Sequence, residues 1–343
     1  MGYKQMEKSP VPLTHEDFAS DQMVKWCPGC GDHAILNAVE KVFPIIGYKK
    51  ESYVLVSGIG CSSRFPYYVN TYGFHGIHGR ANAIATGVRI ANPKLSVWIP
   101  TGDGDSMAIG GNHFIHIVRR NLDVNIMLFN NKIYGLTKGQ YSPTSELGSI
   151  TKTSPYGTIE HPFKVGELVI GAQGTFFARA IDSNPKFITE VMLEAAKHDG
   201  TSVVEILQNC VIFNDGTHNM ITNRETKDDM QLVLKHGEKM LFGKEMNKGI
   251  KQGPHGLEVI TIGENGATLD DVLVHDMYNQ SPGVHLMLAK MLPPAFPIAL
   301  GVIRSAESDT YCELLQDSID EQKAINPIKC VDDLLNSGDT WVI

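Results

Sequence analysis

The chain has 343 residues, 42% of them hydrophobic, enough for one large domain with extensions or for two domains. A formal net charge of −8 leaves no basic stripe to neutralise a nucleic-acid backbone, and no apolar run approaches the length of a membrane span. Six cysteines are too few for a disulfide scaffold in so long a chain, so in a reducing compartment they are thiols or metal ligands, and their spacing carries the information.

Residues 1–25 are polar, contain Pro10 and Pro12 and lack the apolar segment of a signal peptide, as expected of a cytoplasmic protein. They read as an arm that docks on something else or stays mobile. "DHAILNAVEKVF" then sets Ile35, Leu36, Val39 and Val42 on one helical face, with Asp32 in place to cap its start. "SYVLVSG" reads as a buried strand, "RANAIATGVRIAN" as helix, "LSVWIPTG" as strand, "SMAIGGNHFIHIVRRN" as helix and "DVNIMLFNN" as strand. A Ser/Thr/Pro/Gly-rich loop from Gln140 to Gly157 and a further helix lead to "TFFARAI" as strand, "PKFITEVMLEAAKH" as helix and "SVVEIL" as strand. This alternation predicts an α/β fold with a mostly parallel sheet covered by helices on both faces, spanning residues 26–214. Residues 215–343 form a C-terminal extension with a polar helix from Thr226, two short strands and a helix near Thr310 to Lys323.

The chemistry concentrates at strand ends. "TGDGDS" (Thr101–Ser106) and "FNNKIYGLTKGQ" (Phe129–Gln140) put Asp103 and Asn131 at the carboxyl edge of consecutive parallel strands, the edge where open α/β sheets bind ligands. An oxygen-loving ion such as magnesium would take the Asp103 carboxylate, the Asn131 amide oxygen, the Ile133 carbonyl and diphosphate oxygens. Either motif alone is equally well a turn or a strand terminator; across one βαβ unit the pair is far more specific. "VKWCPGCGDH" holds a CxxC pair, Cys27 and Cys30, open to three readings. A thioredoxin-type dithiol should follow a strand, which "ASDQMVK" is not. A zinc site would combine Cys27 and Cys30 with His75 and His78. An iron-sulfur cluster needs more thiols, and Cys61 and Cys210 both follow strands onto the carboxyl edge, where the helix after Cys30 also begins. Cys312, at helical spacing with Leu315 and Ile319, reads as an ordinary buried thiol, and Cys330 is likewise given no functional role.

The pairing of GDG with NN resembles the magnesium and diphosphate site of thiamine diphosphate enzymes. The stretches "GIGCSSRFPYYVNTYGFHGIHGRANAIATG", "TGDGDSMAIGGNHFIHIVRRN" and "NNKIYGLTKGQYSPTSELG" resemble the β subunit of 2-oxoglutarate:ferredoxin oxidoreductase, over most of Trp26 to Gly216; the closing "GDTWVI" is also similar. The resemblance implies a thiamine diphosphate-binding fold and one four-iron, four-sulfur cluster on Cys27, Cys30, Cys61 and Cys210. It implies magnesium on Asp103, Asn131 and Ile133, and cofactor contacts from Ile59, Gly60, Cys61, Ser62, Gly76, Ile77, His78, Gly79, Gly104, Asp105, Gly135 and Leu136. The implied reaction is coenzyme A-dependent oxidative decarboxylation of 2-oxoglutarate to succinyl-CoA, with electrons leaving to ferredoxin. A second carboxylate on the substrate calls for a cation, for which Arg64 and Lys138 are the candidates; either could instead hold coenzyme A phosphates or a partner subunit. An aminopyrimidine-binding domain is missing, so a separate α subunit is expected to supply it. A pyruvate or branched-chain oxidoreductase subunit, a non-oxidative thiamine decarboxylase or synthase, and a metal-bearing interaction protein are the rival readings.

Overall fold

The computed structural model describes residues 6–339 and 341. Its central sheet has eight strands: β1 (Tyr53–Ser57), β2 (Tyr72–His75), β3 (Ser96–Gly102), β4 (Asn125–Asn130), β5 (Phe176–Ile181), β6 (Ser202–Leu207), β7 (Gln231–Val233) and β8 (Ile298–Ser305). Their spatial order is β2-β1-β3-β4-β6-β5-β8-β7. Strands β1 to β6 are mutually parallel, whereas β8 runs antiparallel to β5 and carries β7 parallel to itself. Around the sheet lie helices α1 (His15–Phe18), α2 (Asp32–Ile46), α3 (Ala81–Ala91), α4 (Asp103–Met107), α5 (Gly111–Arg119), α6 (Val165–Gly171), α7 (Pro185–Lys197) and α8 (Tyr311–Ile325).

The central strands are apolar runs because both faces are covered. Alternate side chains feed two cores. Val54, Val56, Val97, Ile99, Ile126 and Leu128 pack with residues of α3, α5 and α6 on one face. Tyr53, Leu55, Trp98, Met127 and Phe129 pack with residues of α2 and α7 on the other. Strand β2 is the exception: all four of its residues are exposed, as an edge strand allows.

Four expectations are corrected. The arm neither docks elsewhere nor hangs free over its described part: Phe18 is fully buried against the rings of Phe43 and Tyr53, and Ala19 bridges to Val69. Asp32 is not the cap of α2; Gly31 holds that position, and Asp32 turns inward as a buried first helical residue. The helix expected over Ser106–Asn121 is broken into α4 and α5. Ala108 leaves helical geometry (φ −86°, ψ −103°), and the break admits the turn after β2. There Gly79, at φ +66°, lies so close that a Cβ on it would sit 2.4 Å from the Gly110 nitrogen. Finally, the C-terminal extension, which the sequence also offers as a lid over the cluster, does not bring α8 there. Tyr311 donates its N–H to Asn121 O, and Asn121 Nδ2 donates to the carbonyls of Ser308 and Asp309, which anchors the helix beside the start of β4, at the opposite edge. Residues 1–5 of the arm, and Thr340, Val342 and Ile343 of "GDTWVI", lie outside the described residues.

Candidate active site

The loops leaving β1, β3 and β4 at their carboxyl ends enclose one cleft. Ile59, Gly60, Cys61 and Ser62 line it from the first loop, Asp103, Gly104 and Asp105 from the second, and Asn131, Ile133, Tyr134, Gly135 and Leu136 from the third, with His78 at its side. Gly76, Ile77 and Gly79 belong to the turn behind that wall and do not line the cleft. Asp105 clamps the loops together: its carboxylate accepts N–H bonds from Ile59 (3.2 Å) and Gly79 (2.8 Å) and stands 3.9 Å from His78 Nδ1. It therefore acts on the backbone of two loops at once. Burial raises its carboxyl above the ordinary range, and these amide bonds oppose the shift.

Asp103 and Asn131 share this cleft with Ile133. Asp103 is buried, and its Oδ2 accepts hydroxyl bonds from Ser142 and Thr144. Desolvation pushes its carboxyl up to about 6, with the two hydroxyls pulling the other way. Asn131 Oδ1 accepts the N–H of Ile133 at 3.1 Å, while Asn214 Nδ2 holds the Asn131 carbonyl at 2.9 Å. Among the described residues no three His, Cys, Asp or Glu side chains, the thiols described below included, are grouped to hold a single metal ion. The oxygens of this cleft suit a cation held by one carboxylate, one amide and one carbonyl, with phosphate oxygens completing its shell. The donor set is hard oxygen throughout. The cleft is also shaped for close backbone approach: a Cβ on Gly104 would come 2.1 Å from a ring carbon of Tyr134, whose hydroxyl donates to Gly104 O at 3.0 Å. Residues and site thus fit magnesium and a diphosphate.

The thiols gather behind Gly135. A Cβ on that residue would lie 3.4 Å from Cys210 Sγ and 3.8 Å from Cys61 Sγ, so both sulfurs face one stretch of main chain. Three contacts bring the CxxC turn to the same place. Trp26 Nε1 donates to Cys61 O at 2.8 Å, Gly31 N donates to Asn209 O at 3.3 Å, and Gln208 Nε2 donates to Cys30 Sγ at 3.2 Å. Burial pushes the thiol of Cys30 well above its ordinary range, with Asp32 next in importance and then Cys61 and Cys210; burial likewise raises Cys61 to about 12, with Asp32, Cys210 and Cys27 adding to it. Thiols close enough to oppose one another's ionisation, in a half-buried basin, need a strongly cationic centre before they become thiolates. Four soft donors from three chain segments fit an iron-sulfur cube. A zinc ion on Cys27, Cys30, His75 and His78 has no such support, since among the described residues no three of these side chains form a group that could hold one metal ion.

The two cations expected near the substrate diverge. Arg64 lines a second cleft that shares Ile59, Gly60 and Leu136 with the first. Lys138 has a left-handed backbone (φ 75°), an exposed side chain and no place in either cleft. Sequence reasoning passed over Ser142, Thr144, Tyr134 and Gln208; the run "YSPTSE" directly after "TKGQ" was the available signal for the first two. Asp32, expected as a cap, instead lines the cleft beside the thiols, its carboxyl raised to about 7 by burial and then by Asp182. Cys312 is fully buried, as expected.

Comparison with known proteins agrees with this geometry. Residues 58–206 match the family model of the thiamine pyrophosphate enzyme C-terminal TPP-binding domain. The chain is 45% identical to the 2-oxoglutarate oxidoreductase subunit KorB of Mycobacterium tuberculosis over 97% of its own length and 89% of that protein's. It is 42% identical to the 2-oxoglutarate synthase subunit KorB of Archaeoglobus fulgidus over 57% of this chain and 74% of the other. A solved structure of 2-oxoglutarate:ferredoxin oxidoreductase from Magnetococcus marinus, with 2-oxoglutarate, coenzyme A and succinyl-CoA bound, superposes with a TM-score of 0.78 at 29% identity, covering 98% of this chain and 100% of that one.

Proposed function

This chain belongs to the β subunits of the 2-oxo acid:ferredoxin oxidoreductase family, and from that membership we propose the following division of labour. The chain holds the diphosphate end of thiamine diphosphate with magnesium on Asp103, Asn131 and Ile133, and one four-iron, four-sulfur cluster on Cys27, Cys30, Cys61 and Cys210. A separate α subunit closes the site over the aminopyrimidine. The assembled enzyme converts 2-oxoglutarate and coenzyme A to succinyl-CoA and carbon dioxide and delivers electrons to ferredoxin in the cytoplasm. When bound, the cofactor supplies a carbanion nucleophile and electron sink, and the cluster accepts electrons one at a time.

The chain's residues do the rest. Asp103 and Asn131 offer oxygen donors to the cation, with Ser142 and Thr144 fixing the carboxylate. Gly104 and Gly135 let main chain approach the bound groups, and Asp105 keeps the loops of Ile59 and Gly79 in register. Arg64, at the neighbouring cleft, takes the distal carboxylate of the substrate; a shorter 2-oxo acid would leave it unpaired there, which disfavours pyruvate. Exposed Lys138 serves coenzyme A phosphates or the partner subunit.

The observation that carries this reading is that Gly135 lies against two of the four thiols while lining the same cleft as Asp103 and Asn131. The test is anaerobic purification with the α subunit. The expected result is broad visible absorption that bleaches when 2-oxoglutarate and coenzyme A are added, less so with pyruvate, and no turnover by the chain alone. A colourless sample, or cluster-free activity releasing an aldehyde, would overturn it. Among the described residues no helix is long and apolar enough to cross a membrane.

A further inference from the structure

Gln208 is a buried amide that none of the assignments above uses. It follows β6, two residues before Cys210, and is 1% exposed. Its main-chain N–H bonds to Asn130 O at 3.0 Å, which continues the β4–β6 ladder past the end of the strand and holds the residue in place. The side-chain nitrogen has two protons and two acceptors: Asn209 O at 2.7 Å and Cys30 Sγ at 3.2 Å. The amide cannot turn over. A flip would set Oε1 against the Asn209 carbonyl, two acceptors face to face, and would withdraw the donor from sulfur. The observed orientation leaves Oε1 without a partner among the described residues, so the amide gives up satisfaction of its oxygen to keep both N–H bonds.

We infer that Gln208 sets the reduction potential of the cluster through its N–H bond to Cys30. This rests on the cluster assignment made above. A donor aimed at a ligating sulfur withdraws charge from it and favours the state with one more electron, so the bond raises the potential. The surrounding charge works in the other direction. Asp32 neighbours both Cys30 and Cys61, and a carboxylate there disfavours added electrons. Gln208 is thus the side-chain donor opposing that field, alongside the Asp32 main-chain N–H, and it reaches the CxxC turn from the end of β6.

The experiment is an electron-paramagnetic-resonance redox titration of the enzyme purified anaerobically with its partner subunit, wild type against Gln208→Met. Methionine keeps the length and removes the donor. The midpoint is expected to move to a more negative value at unchanged iron content; an unchanged or raised midpoint overturns the role. Should Gln208→Met fail to hold iron, pulsed resonance on the wild-type reduced cluster decides instead, with glutamine labelled with ¹⁵N at its side-chain amide. A hyperfine coupling to that nitrogen is expected, and its absence overturns the proposal. Loss of the cluster signal from wild type itself would refute the cluster assignment rather than the role of Gln208.

Discussion

Thr144 carries little chemistry of its own, yet it stands between two buried systems. Its hydroxyl is within bonding distance of Asp103 Oδ2 and, at 3.0 Å, of Asn130 Oδ1. Asn130 in turn donates to Glu205 at 2.7 Å, and Glu205 accepts from Arg179 at the same distance. A buried polar chain therefore runs from the cation site into the sheet, with the single proton of the Thr144 hydroxyl going either to Asp103 Oδ2 or to Asn130 Oδ1. Thr144→Val keeps the volume and removes the hydroxyl. Magnesium-dependent retention of thiamine diphosphate by the assembled enzyme is expected to weaken by roughly 10- to 100-fold, the usual cost of losing a residue that orients a metal ligand. A magnesium titration in the presence of the cofactor measures it; unchanged affinity would remove Thr144 from the positioning network.

Among the elements, α1 is the least regular and the most consequential for the arm. Four residues make no stable helix alone, so its place depends on Phe18, whose ring meets those of Phe43 and Tyr53 edge-on at 5.4 and 5.5 Å. Phe18→Ala is expected to cost about 3–5 kcal/mol, seen as a lower denaturant midpoint, because the cavity opens against a packed α2. A change within 1 kcal/mol would mean that the arm folds independently of the core. The arm's polar composition concealed this. One aromatic among polar neighbours gives no periodic signal, whereas the buried strands β1, β3, β4, β5 and β6 were legible because each is a short unbroken apolar run. Gly79 and Gly110 were visible as residues, but their mutual contact, and hence the broken helix, depends on two turns meeting in space. The cysteine spacing was legible only with the help of the resemblance. Gln208 was not, since its role lies entirely in what it faces.

The stability of the molecule as a whole should depend on pH through His218. Burial pushes its imidazole down from 6.5 to about 4, helped by Lys132, while its Nε2 bonds to Asn130 O at 3.0 Å and ties the start of the C-terminal segment to the end of β4. The folded chain thus keeps His218 neutral where the unfolded chain protonates it. Stability from this group is complete above about pH 6.5 and is lost as the pH falls toward 4, by a total on the order of 3 kcal/mol. His218→Gln retains a donor for Asn130 O and removes the titration. Denaturation midpoints of the variant should be flatter than wild type between pH 6.5 and 4. Equal slopes would show that other groups govern acid stability.

The placing of β8 has a consequence for biosynthesis. Because Ile298–Ser305 lies between β5 and β7, the backbone edge of β5 has no cover until nearly nine-tenths of the polypeptide has left the ribosome, although the four cluster cysteines and all three proposed cation ligands emerged long before. A nascent chain stalled in that interval, or a gene cut after codon 214, presents an open row of amides to any neighbouring strand, the usual starting point for insoluble aggregates. Expression trials of the shorter fragment should therefore fail by precipitation rather than by loss of iron.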